Sequence, residues 1–254
     1  MPKTASKSCH EGECVGPSLS AQIDAAAAPY RQDYESIIRG WVYESGTFGL
    51  TYPALLVETY HQSKHSSALI EAAWRGVSPT RVTLRDYLER HVEEERGHEQ
   101  WALNDFAALG YDRDVVTRSQ PLAETIELIG GQLYVIHYLK PVGILGYLYL
   151  TETAPPTAEF LRAVQDAFAI SDRAMTYLWN HAEHDVAHGR EVREVLDTLI
   201  EGDDEAEAVK TGALLAQAGI NRMLARVRDG NFVASRPLLT GGRSPESDLK
   251  YTLG

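Results

Sequence analysis

Three residues spaced His181-x-x-x-Asp185-x-x-His188 restrict what this chain can fold into more than any other feature of it. Read as a helix from Met175 to Val192, the stretch places them at i, i+4 and i+7, so all three side chains leave one face within two turns. Met175, Leu178, Val192 and Leu196 share that face, which therefore points inward. Two imidazoles and a carboxylate buried without partners would be costly. A metal ion satisfies all three together. A redox-active iron or manganese centre needs more ligands than one helix face presents, so other helices must bring further donors to the same point.

The rest of the chain supplies such helices. Almost every segment between breakers has the helical period, and no convincing alternating strand occurs, so the expected class is all-α with about seven helices. Pro29 is expected to open a helix reaching Trp41 or Ser45, with Tyr34, Ile37, Ile38 and Trp41 as its inner stripe. A second helix runs from Pro53 to Trp74. A third, capped by Thr83, extends from Leu84 to Leu109 and stops at Gly110. The stretch from Pro121 to Thr153 reads as an apolar central helix kinked at Pro141. Helices follow at Ala158 to Ile170, Asp172 to Leu199 and Glu205 to Val227. Leu133 to Leu150 is apolar enough to raise a membrane span, yet Lys140, Pro141, Gly143 and Gly146 interrupt it and no basic flank sets a topology.

Residues 1–19 read as a disordered leader, 20–232 as a single helical domain and 233–254 as a tail. Within the leader, Cys9-His10-Glu11-Gly12-Glu13-Cys14 offers too few ligands for a zinc clip. No signal-peptide pattern precedes the first helix, and a cytoplasmic protein with reduced cysteines is expected. A net charge of -12 argues against nucleic acid or an anionic membrane as partner, since both require a basic footprint.

Further donors lie on three other helices. Glu95 and His98 form Glu-x-x-His on the third, whose inner face passes through Tyr87, His91, Glu95, His98, Ala102 and Phe106, leaving Glu93, Glu94 and Glu99 to solvent. Glu58 follows three apolar residues on the second helix and needs a partner: a metal, a tyrosine hydroxyl or an arginine. Glu152 ends the apolar helix, either as a ligand or as an exposed last-turn residue. Four carboxylates and three imidazoles without a thiolate suit Fe(II) or Mn(II). Four negative charges would balance two divalent cations.

Glu95-x-x-His98, followed by His181-x-x-x-Asp185-x-x-His188 in an all-helical chain of this size, resembles the haem-oxygenase-like di-iron oxidases from about Tyr30 to Val227. The resemblance implies a haem-oxygenase-like bundle holding two irons per chain, cycling between Fe(II) and Fe(III), with O2 as co-substrate. It makes Glu95 a bridging carboxylate and His98 a terminal ligand. His181, Asp185 and His188 become the ligands of a further helix, Glu58 a carboxylate from the helix before Glu-x-x-His, and Glu152 an extra carboxylate. His91 and His65 compete for places in this set, and His184 adjoins it.

The implied activity is oxidation of a small organic substrate, with an amino acid or amine undergoing N-oxygenation or oxidative C–C cleavage foremost and decarboxylation of a fatty acid as an alternative. Tyr134, Tyr138, Tyr147, Tyr149 and Trp179 are expected around the substrate cavity. Lys140 and Tyr138 are the candidate catalytic side chains, Lys140 either pairing with a substrate carboxylate or snorkelling to the surface. A cofactorless enzyme of the thiaminase or pyrroloquinoline-quinone-synthase type, and a non-enzymatic helical scaffold, are the competing readings. A homodimer is left open.

Overall fold

Apolar stripes at helical spacing organise residues 16–230, which are the residues described by the computed structural model; among them are ten α-helices and no strand. In order these are α1 (Leu19–Arg39), α2 (Phe48–Gly76), α3 (Val82–Glu95), α4 (Glu99–Ala108), α5 (Arg113–Thr117), α6 (Ala123–Tyr134), α7 (Ile144–Glu152), α8 (Ala158–Phe168), α9 (Thr176–Leu199) and α10 (Gly202–Arg228). The expected leader with Cys9 and Cys14, up to residue 15, and the expected tail from 233 lie outside the described residues.

The all-α class matches the expectation, while several helix boundaries differ from it. Helix α1 begins at Leu19 and not at Pro29, because Ser18 caps it by accepting the Ala21 N–H and the alanine-rich stretch Ala25–Ala28 favours helix. Its start is tied to α9 through Ser20, whose backbone N–H and hydroxyl both donate to Asp197. The expected third helix is two helices: α3 ends at Glu95, Arg96 turns extended, and Gly97 takes a left-handed φ of 94° before α4 starts. Only glycine enters that region without strain.

The expected apolar helix is also interrupted. After α6 the chain passes through a π-helical turn, Val135–Leu139, extends at Lys140 and re-enters helix at Pro141. A residue before proline is pushed out of the helical region, which separates the two halves instead of kinking them. This corrects both catalytic candidates. Tyr138 is 74% exposed and stacks on Tyr134 at the surface. The Lys140 ammonium is half exposed and faces Asp204 at 3.8 Å. No helix of the described residues is long and apolar enough to cross a membrane.

Every residue of α7 from Ile144 to Leu150 is buried, which makes it the central rod. It touches α10 backbone to backbone: a Cβ on Gly146 would lie 2.0 Å from the Val209 carbonyl oxygen. On its other side, a Cβ on Gly189 of α9 would come within 2.7 Å of the Glu152 carbonyl oxygen. Through these contacts the end of α7, carrying Glu152, sits against the middle of α9.

Candidate metal centre

The direction of α9 is set from its first turn. Asp105 of α4, fully buried, accepts the backbone N–H of Thr176 at 2.9 Å and of Tyr177 at 2.8 Å, and also the Thr176 hydroxyl. One carboxylate thus satisfies donors that a helix N-terminus leaves open, and locks α9 to the helix that starts beside His98. Asp105→Ala is expected to cost about 2–3 kcal/mol through the lost cap and stranded donors. A thermal melt would show this as a Tm lowered by roughly 5–10 °C.

With α9 so placed, ligand atoms of His91, Glu95, Glu152 and His188 all come within 4.8 Å of one another. His91 Nε2 and Glu152 Oε1 are 2.8 Å apart, and the His91 and His188 ring centroids 5.1 Å. A second, looser group adjoins it. His98 Nδ1 stands 3.3 Å from Glu95 Oε1, His181 Nδ1 stands 3.3 Å from Asp185 Oδ1, and the two rings meet edge to face with centroids 5.0 Å apart. Glu95 belongs to both groups.

Burial makes this convergence expensive as it stands. Nine buried side-chain polar atoms among the described residues have no hydrogen-bond partner, and six of them are here: His91 Nδ1, Glu94 Oε2, His98 Nδ1, Glu152 Oε2, His181 Nε2 and His188 Nδ1. Each unpaired buried atom costs about 1–3 kcal/mol. Such a concentration of orphaned imidazole and carboxylate atoms is the chemistry of a cation site, and His91, Glu95, Glu152 and His188 are close enough together to hold one.

The electrostatics agree. Burial pushes the Glu95 carboxyl up, but His98, His181 and His91 outweigh it and hold Glu95 below its ordinary value, hence anionic. Burial likewise opposes charge on His91, yet Glu152 beside it raises the imidazole to about 9. Glu152 itself is raised, by burial above all. His91 and Glu152 therefore retain a proton near neutrality that a cation must displace. Adding Fe(II) anaerobically to weakly buffered protein at pH 7 is expected to acidify the solution, and lowering the pH to release the metal, both readable with a pH electrode and a chelator.

Six of the expected donors, Glu95, His98, Glu152, His181, Asp185 and His188, are brought together in this way. Glu58 is not among them. The face that α2 turns to the site passes through Leu55, Thr59, Gln62 and Ser66, and Glu58, one residue before Thr59, points about 100° round the helix. Its carboxylate accepts the Leu122 N–H at 2.8 Å and the Thr125 hydroxyl at 2.7 Å, joining α2 to the start of α6. His65 is exposed, as is His184, which stacks on Trp101. His91 joins the tighter group. Glu94, expected in solvent, leans inward, its Oε2 lying 3.6 Å from both His91 Nδ1 and His188 Nε2. Its position one turn after His91 is the sequence signal for that contact.

A cavity of about 370 Å³ opens onto Glu95, Glu152, His181 and Asp185. Beside them are neutral polar groups: Gln62 donates to the Tyr147 hydroxyl at 3.1 Å, and Ser63 pairs with the Tyr177 hydroxyl at 2.9 Å. Tyr147 and Tyr177 line the cavity, but Tyr134, Tyr138, Tyr149 and Trp179 do not. Tyr149 donates to Asp24, and the Trp179 indole N–H to Gln165.

Residues 54–219, which include every one of these donors, match a protein family described as iron-containing redox enzymes. The chain belongs to that family. Two solved structures show that the chain has a haem-oxygenase-like fold. One, a domain of unknown function with that fold from Shewanella denitrificans OS217, is 24% identical, with a TM-score of 0.69 over 89% of this chain and 93% of the other. The second is a TenA homolog from Pseudomonas syringae pv. tomato DC3000, 15% identical, with a TM-score of 0.67 over 84% and 93%. A search of the curated proteins found no significant match.

Proposed function

We propose that this iron-containing redox enzyme is a non-haem di-iron oxidase that uses O2 to oxidise a small organic molecule held in the cavity beside Glu95. The observation that carries this reading is the convergence of buried imidazoles and carboxylates, several with orphaned atoms, on two adjoining groups that share Glu95: His91, Glu95, Glu152 and His188 for one cation, and Glu95, His98, His181 and Asp185 for a second. Two ferrous ions, when bound, supply two electrons to dioxygen. Around them the chain positions, shields and desolvates.

Glu95, held anionic by three imidazoles, would supply a counter-charge to both cations. Asp185 sits 3.3 Å from His181 Nδ1 and fixes which way that ring turns. Burial pushes the phenols of Tyr147 and Tyr177 up, so both stay neutral and offer hydroxyls to a polar group on the substrate. The apolar walls exclude bulk water from the reacting atoms.

Anaerobic titration with Fe(II), iron quantified per chain, followed by rapid mixing with O2, tests the reading. Two irons per chain and oxygen consumption accompanied by a transient visible absorption band are expected. A protein that retains no iron would instead belong with cofactorless enzymes of the same fold, and a single tightly bound iron would overturn the two-metal assignment.

A further inference from the structure

We infer that Glu94 is a positioning residue of the metal centre: it holds the outer nitrogens of His91 and His188, so that His91 offers Nε2 and His188 offers Nδ1 to the cation. This rests on the metal reading proposed above and deepens it.

His91 Nε2 lies 2.8 Å from Glu152 Oε1, whereas its Nδ1 is buried, has no hydrogen-bond partner and lies 3.6 Å from Glu94 Oε2. The two nitrogens of an imidazole point apart, so Glu152 and Glu94 flank this ring on opposite sides. His188 repeats the arrangement from α9: its Nε2 lies 3.6 Å from the same Glu94 oxygen, and its Nδ1 is buried with no partner. An imidazole that ligates a metal through one nitrogen carries its proton on the other. That N–H is ordinarily given to a carboxylate or a carbonyl, which fixes both the tautomer and the angle of the ring. Glu94 Oε2 is buried and unpartnered as well, and a shift of about half an ångström brings both N–H groups within hydrogen-bond range of it.

Helix geometry and a second clasp keep Glu94 on that outer side. It follows His91 by three residues, which sets the two side by side on α3, and it precedes Glu95 by one, so the two acids diverge by about 100°. The Glu94 side chain is 36% exposed and that of Glu95 9%. Glu95 therefore faces the cations, and Glu94 the solvent flank of the rings. Its other oxygen, Oε1, lies 3.7 Å from Arg90 Nε, and the Arg90 guanidinium also pairs with Glu191 of α9. Arg90 offsets the Glu94 charge from outside, which leaves the carboxylate free to serve the rings without adding to the acids that face the cations. One side chain of α3 thus sets the rotation of two imidazoles on two helices.

The test combines Zn(II) affinity, read by competition with a chromophoric chelator, and NMR of the ring nitrogens in histidine-labelled, zinc-loaded protein. Glu94→Ala is expected to weaken zinc binding by about 10–100-fold, the usual effect of removing a partner behind a ligand, while the metal-free protein melts like the parent. Glu94→Gln keeps an acceptor oxygen and should recover most of that loss. Glu93→Ala, on the same helix but exposed and paired with Arg96, should bind zinc like the parent. In the parent, NMR should place zinc on His188 Nδ1 with the proton on Nε2, and zinc on His91 Nε2 with the proton on Nδ1. In Glu94→Ala those two ring protons should exchange faster with water. Zinc on the nitrogen that faces Glu94, or on neither ring, would overturn the assignment, as would parent affinity in Glu94→Ala. Glu94→Gln as weak as Glu94→Ala would make Glu94 a ligand and not a positioning residue. A parent that takes up no zinc would sink the metal reading together with this one, whereas normal loading of the parent and of Glu94→Ala alike would remove Glu94 alone.

Discussion

Glu95→Ala is expected to yield a folded protein whose metal affinity falls by about 100-fold or more, since changes even to groups one shell further out cost 10–100-fold. Glu95 is 7% exposed and is the acid common to both donor groups. Its loss leaves His98 and His181 with Asp185 as the remaining carboxylate of their group, and removes a charge from the other group as well. Both positions should empty together. Metal analysis after dialysis reads this directly, and O2 uptake should fall to the level of free iron in solution. Glu93 is the control: it lies on the same helix, exposed and paired with Arg96, and Glu93→Ala should load and turn over like the parent. Retention of two metals by Glu95→Ala would remove that residue from the centre.

Gly146→Ala should have the largest effect on folding. A methyl group there would sit 2.0 Å from the Val209 carbonyl oxygen and 2.5 Å from the Ala213 nitrogen. Both are backbone atoms of α10 and cannot rotate away. Separating α7 from α10 would open the apolar core on both sides of a helix with no exposed face. The cost should exceed the usual 1–3 kcal/mol of overpacking and reach about 4 kcal/mol or more, against a total stability of roughly 5–15 kcal/mol. Most of the protein is expected to be insoluble, and any soluble fraction to melt at least 10 °C lower. Gly130 provides the contrast: nothing lies within 4 Å of a Cβ built there on α6, so Gly130→Ala should be neutral or stabilising by up to about 1 kcal/mol. Comparable melting temperatures for the two variants would refute the close-packing account.

How much of this could be read beforehand depended on whether the information was local. His181, Asp185 and His188 share a face because of helical period alone, and the period needs only one helix to be right. The apolar run around Leu148 marked a central helix for the same reason. Glu58 was misplaced because an acid among apolar neighbours announces a buried partner without saying which, and its partners, Leu122 and Thr125, lie 64 and 67 residues away. Tyr138 and Lys140 look internal within an apolar run, but Pro141 forces Lys140 out of the helical region, and which way the broken stretch then faces is decided by packing with distant helices. Glu94 shows the converse, a residue counted as solvated that two imidazoles from different helices draw inward.

The left-handed turn at Gly97 has its own consequence. Had α3 and α4 been continuous, the rise of one helix would have dictated how far apart Glu95 and His98 stand. Instead the two residues lie on separate helices joined at Gly97, and Asp105 ties the second of these to α9, which carries His181, Asp185 and His188. The separation of His98 from Glu95 is therefore set by how α4 and α9 pack on α3, and a substitution along that seam can change it without touching either residue.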